Sequence, residues 1–441
     1  MGFWRSKKRR VAVMGLDGVS YELVRDLVDR GELPRFKKLL QEGSMSRMRS
    51  TIPCVSSVAW TTYMTGRNPG KHGIFGFVDR HPESLEVFIP TSRDVKAKTL
   101  WEDLSERGKR VLVMNVPLTY PPKAVSGILV GCFLCTRIDR VAYPAEISQW
   151  LKEREYRIDV DAWEARRSRG AFIEHLHEAL RKRIELGLEL YKREKWDFFQ
   201  LHIMETDRMN HFFWDAWADP QSPNREAFLR FYRAIDWAVG EFEDGVGPDS
   251  ELVLLSDHGF TLLKKEVNLN FWLREKGWLK RDPTEREAMK GDGDSRVYSL
   301  IPGRFYLKAS KGAMDAGKEE KDFESELVNG LYDLYDPETE EKLIGQVFRA
   351  DEVYEGPYRE RGPDYVAVPR PGYDLKGGYG SRGLLGSSEM TGMHTEDNAF
   401  VYVRGRRFTG QEAHLVDLYP TLLDLLELSV LEDLDGKSLV G

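Results

Sequence analysis

The sequence predicts a doubly wound α/β fold, a mostly parallel sheet with helices on both faces and an inserted cap. Three observations carry that prediction. Short, nearly continuous apolar runs such as Arg10–Leu16 (RVAVMGL) have the look of strands buried on both faces of a parallel sheet. Such runs alternate with longer stretches of helical periodicity at both ends of the chain. The length, 441 residues, exceeds what a single small core needs and suits one large or two medium domains.

The elements follow in order. After the first strand, Tyr21–Gln41 is apolar at helical spacing through Leu23, Val24, Leu27, Leu33, Phe36 and Leu39. Trp101–Arg107 and Arg110–Val116 repeat the helix-then-strand step, and Gly127–Phe133 adds a strand. Tyr143–Arg169 is charged and weakly periodic, which predicts a segment capping the sheet. Two long amphipathic helices, Phe172–Lys195 and Arg225–Val246, each precede a strand, Asp197–Met204 (DFFQLHIM) and Glu251–Ser256 (ELVLLS). Arg281–Arg296 reads as a polar linker. Phe305–Lys308, a helix over Lys318–Tyr335 and Leu343–Tyr354 follow. The Gly-rich stretch Gly372–Gly386 predicts a long flexible loop, before a strand at Ala399–Val403 and a helix over Leu415–Leu428. The expected division is a catalytic core from 1–140, 196–280 and 390–441, with cap regions at 141–195 and 281–389.

Composition narrows the function classes. A net charge of -7, from 65 Lys and Arg against 72 Asp and Glu, argues against a nucleic-acid coat. Three cysteines (Cys54, Cys132, Cys135) cannot build a disulfide framework in a chain this long, which points to a reducing compartment, the cytoplasm. No apolar run approaches the ~20 residues that cross a bilayer, and the basic start MGFWRSKKRR lacks a secretory apolar region. MGFWRS matches the bare myristoylation pattern, but a solvated tail before the first strand is the favoured reading.

Three predicted strands end in groups able to hold a metal. Asp17-Gly18 follows the first strand, where open α/β sheets bind ligands. Glu205-Thr206-Asp207 follows another, and His211 lies four residues on, so a helix there puts Asp207 and His211 on one face. Asp257-His258 follows ELVLLS directly and precedes Gly259. Any one pair reads equally well as a turn or a helix-surface pair. Together they are harder to dismiss, because strand ends of one sheet converge, and Asp and His donors suit Zn²⁺ or Mn²⁺. The run Thr51–Phe77 adds hydroxyls at Ser56 and Ser57, where a serine at a helix start offers a nucleophile beside free backbone N–H groups.

This ordered set resembles the alkaline phosphatase superfamily in its type I phosphodiesterase/nucleotide pyrophosphatase branch, in the manner of its prokaryotic phosphohydrolase/phosphomutase members. The resemblance runs nearly end to end through GLDG, TGRNPGKHGIFGF, ETDRMNHFFW, LSDHGF, VNLNFWLREKGWL, GMHTEDNAFVYVRG and LVDLYPTLLDLLEL. It implies an alkaline-phosphatase-like fold and two divalent metal ions, zinc before manganese. One would be held by Asp207, His211 and His394; the other by Asp17, Asp257, His258 and the nucleophile. The family nucleophile stands nine residues before the Thr of Thr-Gly, which here gives Ser56, with Ser57 as the fallback. The implied activity is hydrolysis of a small-molecule phosphate ester through a phosphoseryl intermediate. The alternatives are a phosphomutase or phosphoryl transferase using the same site and, third, a non-catalytic binding protein. Relatives acting on nucleotides place Asn three residues after the nucleophile; this chain has Ala59, which leaves Asn68 and Lys71 as candidate substrate-binding groups. Sulfatases need Cys-x-Pro-Ser-Arg, and Cys54 is followed by Val55, Ser56 and Ser57, so that reading is rejected.

Overall fold

The computed structural model describes residues 9–81, 86–280, 295–308, 316–408, 410 and 412–440. The MGFWRS pattern and most of the expected linker at Arg281–Arg296 lie outside the described residues.

Six consecutive buried residues make Val11–Leu16 (β1) the middle of a nine-stranded sheet. Phe198–Ile203 (β2) and Glu251–Leu255 (β3) flank it, both parallel. Beyond β2, Val111–Met114 and Gly127–Val130 extend the parallel set, and Ala142–Tyr143 ends it antiparallel. Beyond β3, Ala399–Arg404 pairs antiparallel, followed by Gly43–Arg49 and Ala413–His414. Side chains of β1 split between two cores, as the pleat requires. Ala12, Met14 and Leu16 join a cluster built with helices Arg169–Arg193 and Arg225–Val246. Val11 and Val13 join the opposite cluster, with Ser56–Thr65 (α1) and Leu418–Leu425. Helices on both faces of a mostly parallel sheet are the doubly wound architecture.

A second module packs on its own core. Val297–Leu300, Arg304–Leu307, Tyr365–Pro369 and Ile344–Arg349 form a four-stranded antiparallel sheet. Its cluster begins at Val267 and includes Trp272 and Trp278, so the stretch 265–280, expected in the catalytic core, packs with this module.

Other expectations change. The helix over Tyr21–Gln41 is two helices, Tyr21–Asp29 and Pro34–Glu42, because Gly31 turns at φ 79° and Pro34 starts the second. The C-terminal helix spans only Leu418–Leu425, preceded by a 3₁₀ turn at Leu415–Asp417. Residues 141–195, expected in the cap, belong with the main sheet. They supply the edge strand Ala142–Tyr143 and the helix Arg169–Arg193, whose Leu176, Leu180 and Ile184 share a cluster with Leu201. Most of their charge lies on the outer face, with Arg183 as a buried exception. Gly372–Gly386 is not a loop throughout: Tyr373–Lys376 and Leu385–Gly386 pair on either side of Lys265–Asn268. Buried Tyr373 and Leu375 alternate with half-buried Asp374 and Lys376, a period of two that the flanking glycines mask.

Candidate active site

The parallel strands deliver their successors to one edge of the sheet. Asp17 leaves β1 with its N–H on the Ile203 carbonyl at 3.0 Å, and Gly18 turns the chain at φ 65°. Asp257 and His258 follow β3 after Ser256. Glu205–Ala218 (α2) begins two residues after β2 and carries Asp207 and His211 one turn apart. His394 arrives on Gly392–Thr395 (β4), paired antiparallel with Gly259–Leu262 so that it faces Phe260.

These residues make two adjacent donor sets, Asp17–Asp257–His258 and Asp207–His211–His394. His258 and His394 stack with ring centroids 3.7 Å apart, joining the sets. In the first, Ser56 Oγ stands 3.2 Å from both Asp17 Oδ1 and His258 Nε2. In the second, His394 Nε2 lies 3.2 Å from Asp207 Oδ1 and 3.0 Å from His211 Nε2. Ser56, at the first position of α1, reaches the cluster; the Ser57 Oγ is buried with no hydrogen-bond partner among the described residues.

The donor chemistry fits cations. All three imidazoles direct Nδ1 at a backbone carbonyl: His258 at Gly259 (3.1 Å), His394 at Cys54 (3.0 Å) and His211 at Gly392 (3.2 Å). Donating Nδ1–H there leaves the Nε2 lone pairs of His394 and His211 facing each other and Asp207, and that of His258 facing the Ser56 hydroxyl, an arrangement that a positive charge satisfies. This tautomer-fixing contact is the usual support of a metal-ligating histidine. Tetrahedral zinc with Zn–N of ~2.0–2.1 Å separates its ligand atoms by ~3.3 Å, close to the spacings found.

Electrostatics agree. Burial, then the charge of Asp17, pushes the Asp257 carboxyl well above its usual range. Burial, with His394 adding, pulls His258 down to about 3. Burial also lowers His211 against the pull of Asp207. Asp207 is held low by His211 and His394, although burial works the other way. His394 alone moves up, because its hydrogen bond to Asp207 and that carboxylate's charge outweigh burial, so the buried carboxylates are matched by one proton-holding imidazole and two that resist protonation.

The sequence reading missed the groups that hold Asp17. Its Oδ2 accepts from Trp60 Nε1 at 2.8 Å and His202 Nε2 at 2.9 Å, and its carbonyl accepts from Thr206 Oγ1 at 2.6 Å. Gly15 admits the Trp60 ring, because a Cβ there would lie 2.5 Å from it. The i,i+4 spacing of Ser56 and Trp60 was the available signal. Asn68 and Lys71 are not brought to this cluster. Asn68 caps the short helix Pro69–His72 beyond the other end of α1, and both side chains bond Asp435.

A cavity of about 260 Å³ opens beside His211 and His394, between the main sheet and the second module. Ile52, Val55, Phe77, Val366 and Leu375 line it, with Asp374, Lys376 and Glu396 as its charged groups beyond the cluster. No helix among the described residues is long and apolar enough to cross a membrane.

Residues 11–397 match the family described as type I phosphodiesterase/nucleotide pyrophosphatase. No curated protein matches the chain by sequence. Among solved structures, phosphonoacetate hydrolase from Sinorhizobium meliloti 1021, in complex with phosphonoformate, is 17% identical over 96% of each chain, with a TM-score of 0.67. Human ectonucleotide pyrophosphatase/phosphodiesterase 5 is 16% identical over 97% of each chain, with a TM-score of 0.59. The murine form gives 16%, 96% of each chain and 0.59. At these identities the likeness speaks for the fold.

Proposed function

The chain belongs to the type I phosphodiesterase/nucleotide pyrophosphatase family and is a hydrolase of phosphoric ester bonds; we propose that Ser56 is its nucleophile and that two divalent cations complete its site. Asp207, His211 and His394 would hold one. Asp17, Asp257, His258 and Ser56 would hold the other. Imidazole with carboxylate suits zinc. When bound, the cations supply Lewis acidity that lowers the pKa of the hydroxyl and of water and neutralises phosphoryl charge.

Ser56 Oγ attacks phosphorus; the Oγ–P bond forms as the ester P–O bond breaks, and the alcohol leaves with its electron pair and takes a proton. Water then attacks the phosphoseryl group, a proton returns to Oγ, and phosphate or a phosphomonoester departs. Asp17 Oδ1 and His258 Nε2 orient Oγ, while Trp60 and His202 keep the other Asp17 oxygen turned away. Val58 and Ala59 N–H close on the Val55 carbonyl, whereas the N–H groups of Ser56 and Ser57 lie ahead of the helix ladder and favour the phosphoryl oxygens, at a position where Ala59 offers no side-chain donor. The three free cysteines support a reducing compartment, the cytoplasm.

The observation that carries this reading is Ser56 Oγ at 3.2 Å from both Asp17 and His258, with the second donor set stacked alongside. Ser56→Ala is expected to lower turnover of an aryl phosphate on the order of a thousandfold or more. Elemental analysis should still find the cation of the Asp207 set. An inactive Ser57→Ala beside an active Ser56→Ala would move the nucleophile by one residue.

A further inference from the structure

The cavity beside the donor sets belongs to the substrate if the chain is a hydrolase of the proposed kind, and its walls say what the ester carries. Thirteen of its twenty lining residues are aliphatic, aromatic, methionine or proline. Among the described residues, the one cationic side chain in the wall outside the histidine cluster, Lys376, is engaged by Asp374 at 2.5 Å and Glu266 at 3.6 Å. Glu396 adds a further carboxylate. A second phosphate would therefore meet carboxylates and an occupied ammonium. Apart from His211 and His394, a nucleobase would find one aromatic ring among the described residues of the wall, Phe77, already packed against Phe133 with centroids 6.1 Å apart. The volume, about 260 Å³, falls just short of the range for drug-sized ligands, so it suits a small group.

We infer that the alcohol of the substrate is an uncharged apolar group of the size of a hexyl to octyl chain, seated against Ile52, Val55, Val366, Leu375 and Met390, and not a nucleotide or a sugar. Met390 and Met393 give the wall the adaptability such groups need. Ile301, at the rim and 40% exposed, contacts the same space and is open to substitution without disturbing a core.

The inference rests on the hydrolase reading for its meaning, and its test separates the two. n-Alkylphosphonates from methyl to octyl, which carry no hydrolysable ester bond, are titrated calorimetrically into the metal-replete full chain. The corresponding n-alkyl phosphates are assayed for turnover. Kd is expected to fall roughly fourfold per methylene from butyl to octyl, the value of burying a CH₂. Ile301→Asp should flatten that dependence. A Kd equal for methyl and octyl, or tighter binding of AMP than of hexylphosphonate, overturns the inference even if esters are turned over. A chain-length-dependent Kd with no ester turned over supports the apolar seat and overturns the hydrolase mechanism instead.

Discussion

Asp17 shows how the surroundings of one residue prepare it for the ligand role proposed for it. Its two carboxylate oxygens have separate tasks: Oδ2 is tied to Trp60 and His202, and Oδ1 is left facing Ser56. His202→Leu removes one of these ties without touching a donor of the set. It is expected to weaken cation affinity at the Asp17 set by about 10–100-fold, the usual cost of losing an outer partner. Competitive chelator titration measures this, and an unchanged affinity would show that Trp60 suffices. His394→Ala should lower metal content from two ions per chain to one; unchanged stoichiometry would refute its assignment. Asp17, Asp207, Asp257 and His258 were legible at strand ends and His211 by its i,i+4 spacing from Asp207, whereas His394, inside Gly392–Thr395, was reached only through the family resemblance. His202 was not legible. It sits inside a strand, where a histidine reads as a core residue until its partner across the sheet is known.

At the scale of elements, the helix Arg169–Arg193 does more than cover the sheet. Its fully buried Arg183 donates to Glu205 at 2.7 Å, in the first turn of α2, two residues before Asp207. Arg183 also meets the Tyr156 hydroxyl and the Ile158 carbonyl. Removing one partner of a buried pair leaves the other charge unmatched and costs about 3–5 kcal/mol. Arg183→Met should therefore lower the urea midpoint strongly, and adding Glu205→Gln should recover part of that loss. The helix and the strand after it were legible from periodicity. Its role was not, because a charged outer face looks the same on a cap as on a core helix. The pairing of Tyr373–Lys376 was hidden likewise, since Lys265–Asn268, its partner, lies more than a hundred residues away.

The whole molecule carries a pH dependence outside the donor sets. His72, within the run GKHG, is fully buried; its Nδ1 accepts from the Ile74 N–H at 3.2 Å and its Nε2 meets Thr62 Oγ1 at 3.0 Å. Burial lowers it from 6.5 to about 3. Above pH 6.5 neither folded nor unfolded chain protonates it. Between about 6.5 and 3 the unfolded chain takes up a proton that the folded one refuses, so stability falls with pH across that window. The full loss is on the order of 5 kcal/mol. His72→Gln should flatten the decline between pH 6.5 and 4 relative to the parent chain, measured by urea unfolding. A parallel decline in both would show that His72 does not carry it.

By itself the sequence determined the alternation of apolar runs and amphipathic helices, and therefore a doubly wound sheet with its ligand-type residues at strand ends. Those features are local: a strand buried on both faces is apolar except where a polar side chain such as Gln200 or His202 has a hydrogen-bond partner, and a polar residue just past it leaves the sheet. Only the tertiary structure decided the rest. It set which imidazole nitrogens face inward, sent Asn68 and Lys71 to Asp435, joined 141–195 to the main sheet, and closed an apolar cavity from segments more than three hundred residues apart. Contacts between distant segments depend on side-chain packing across the whole chain, and no local pattern records them.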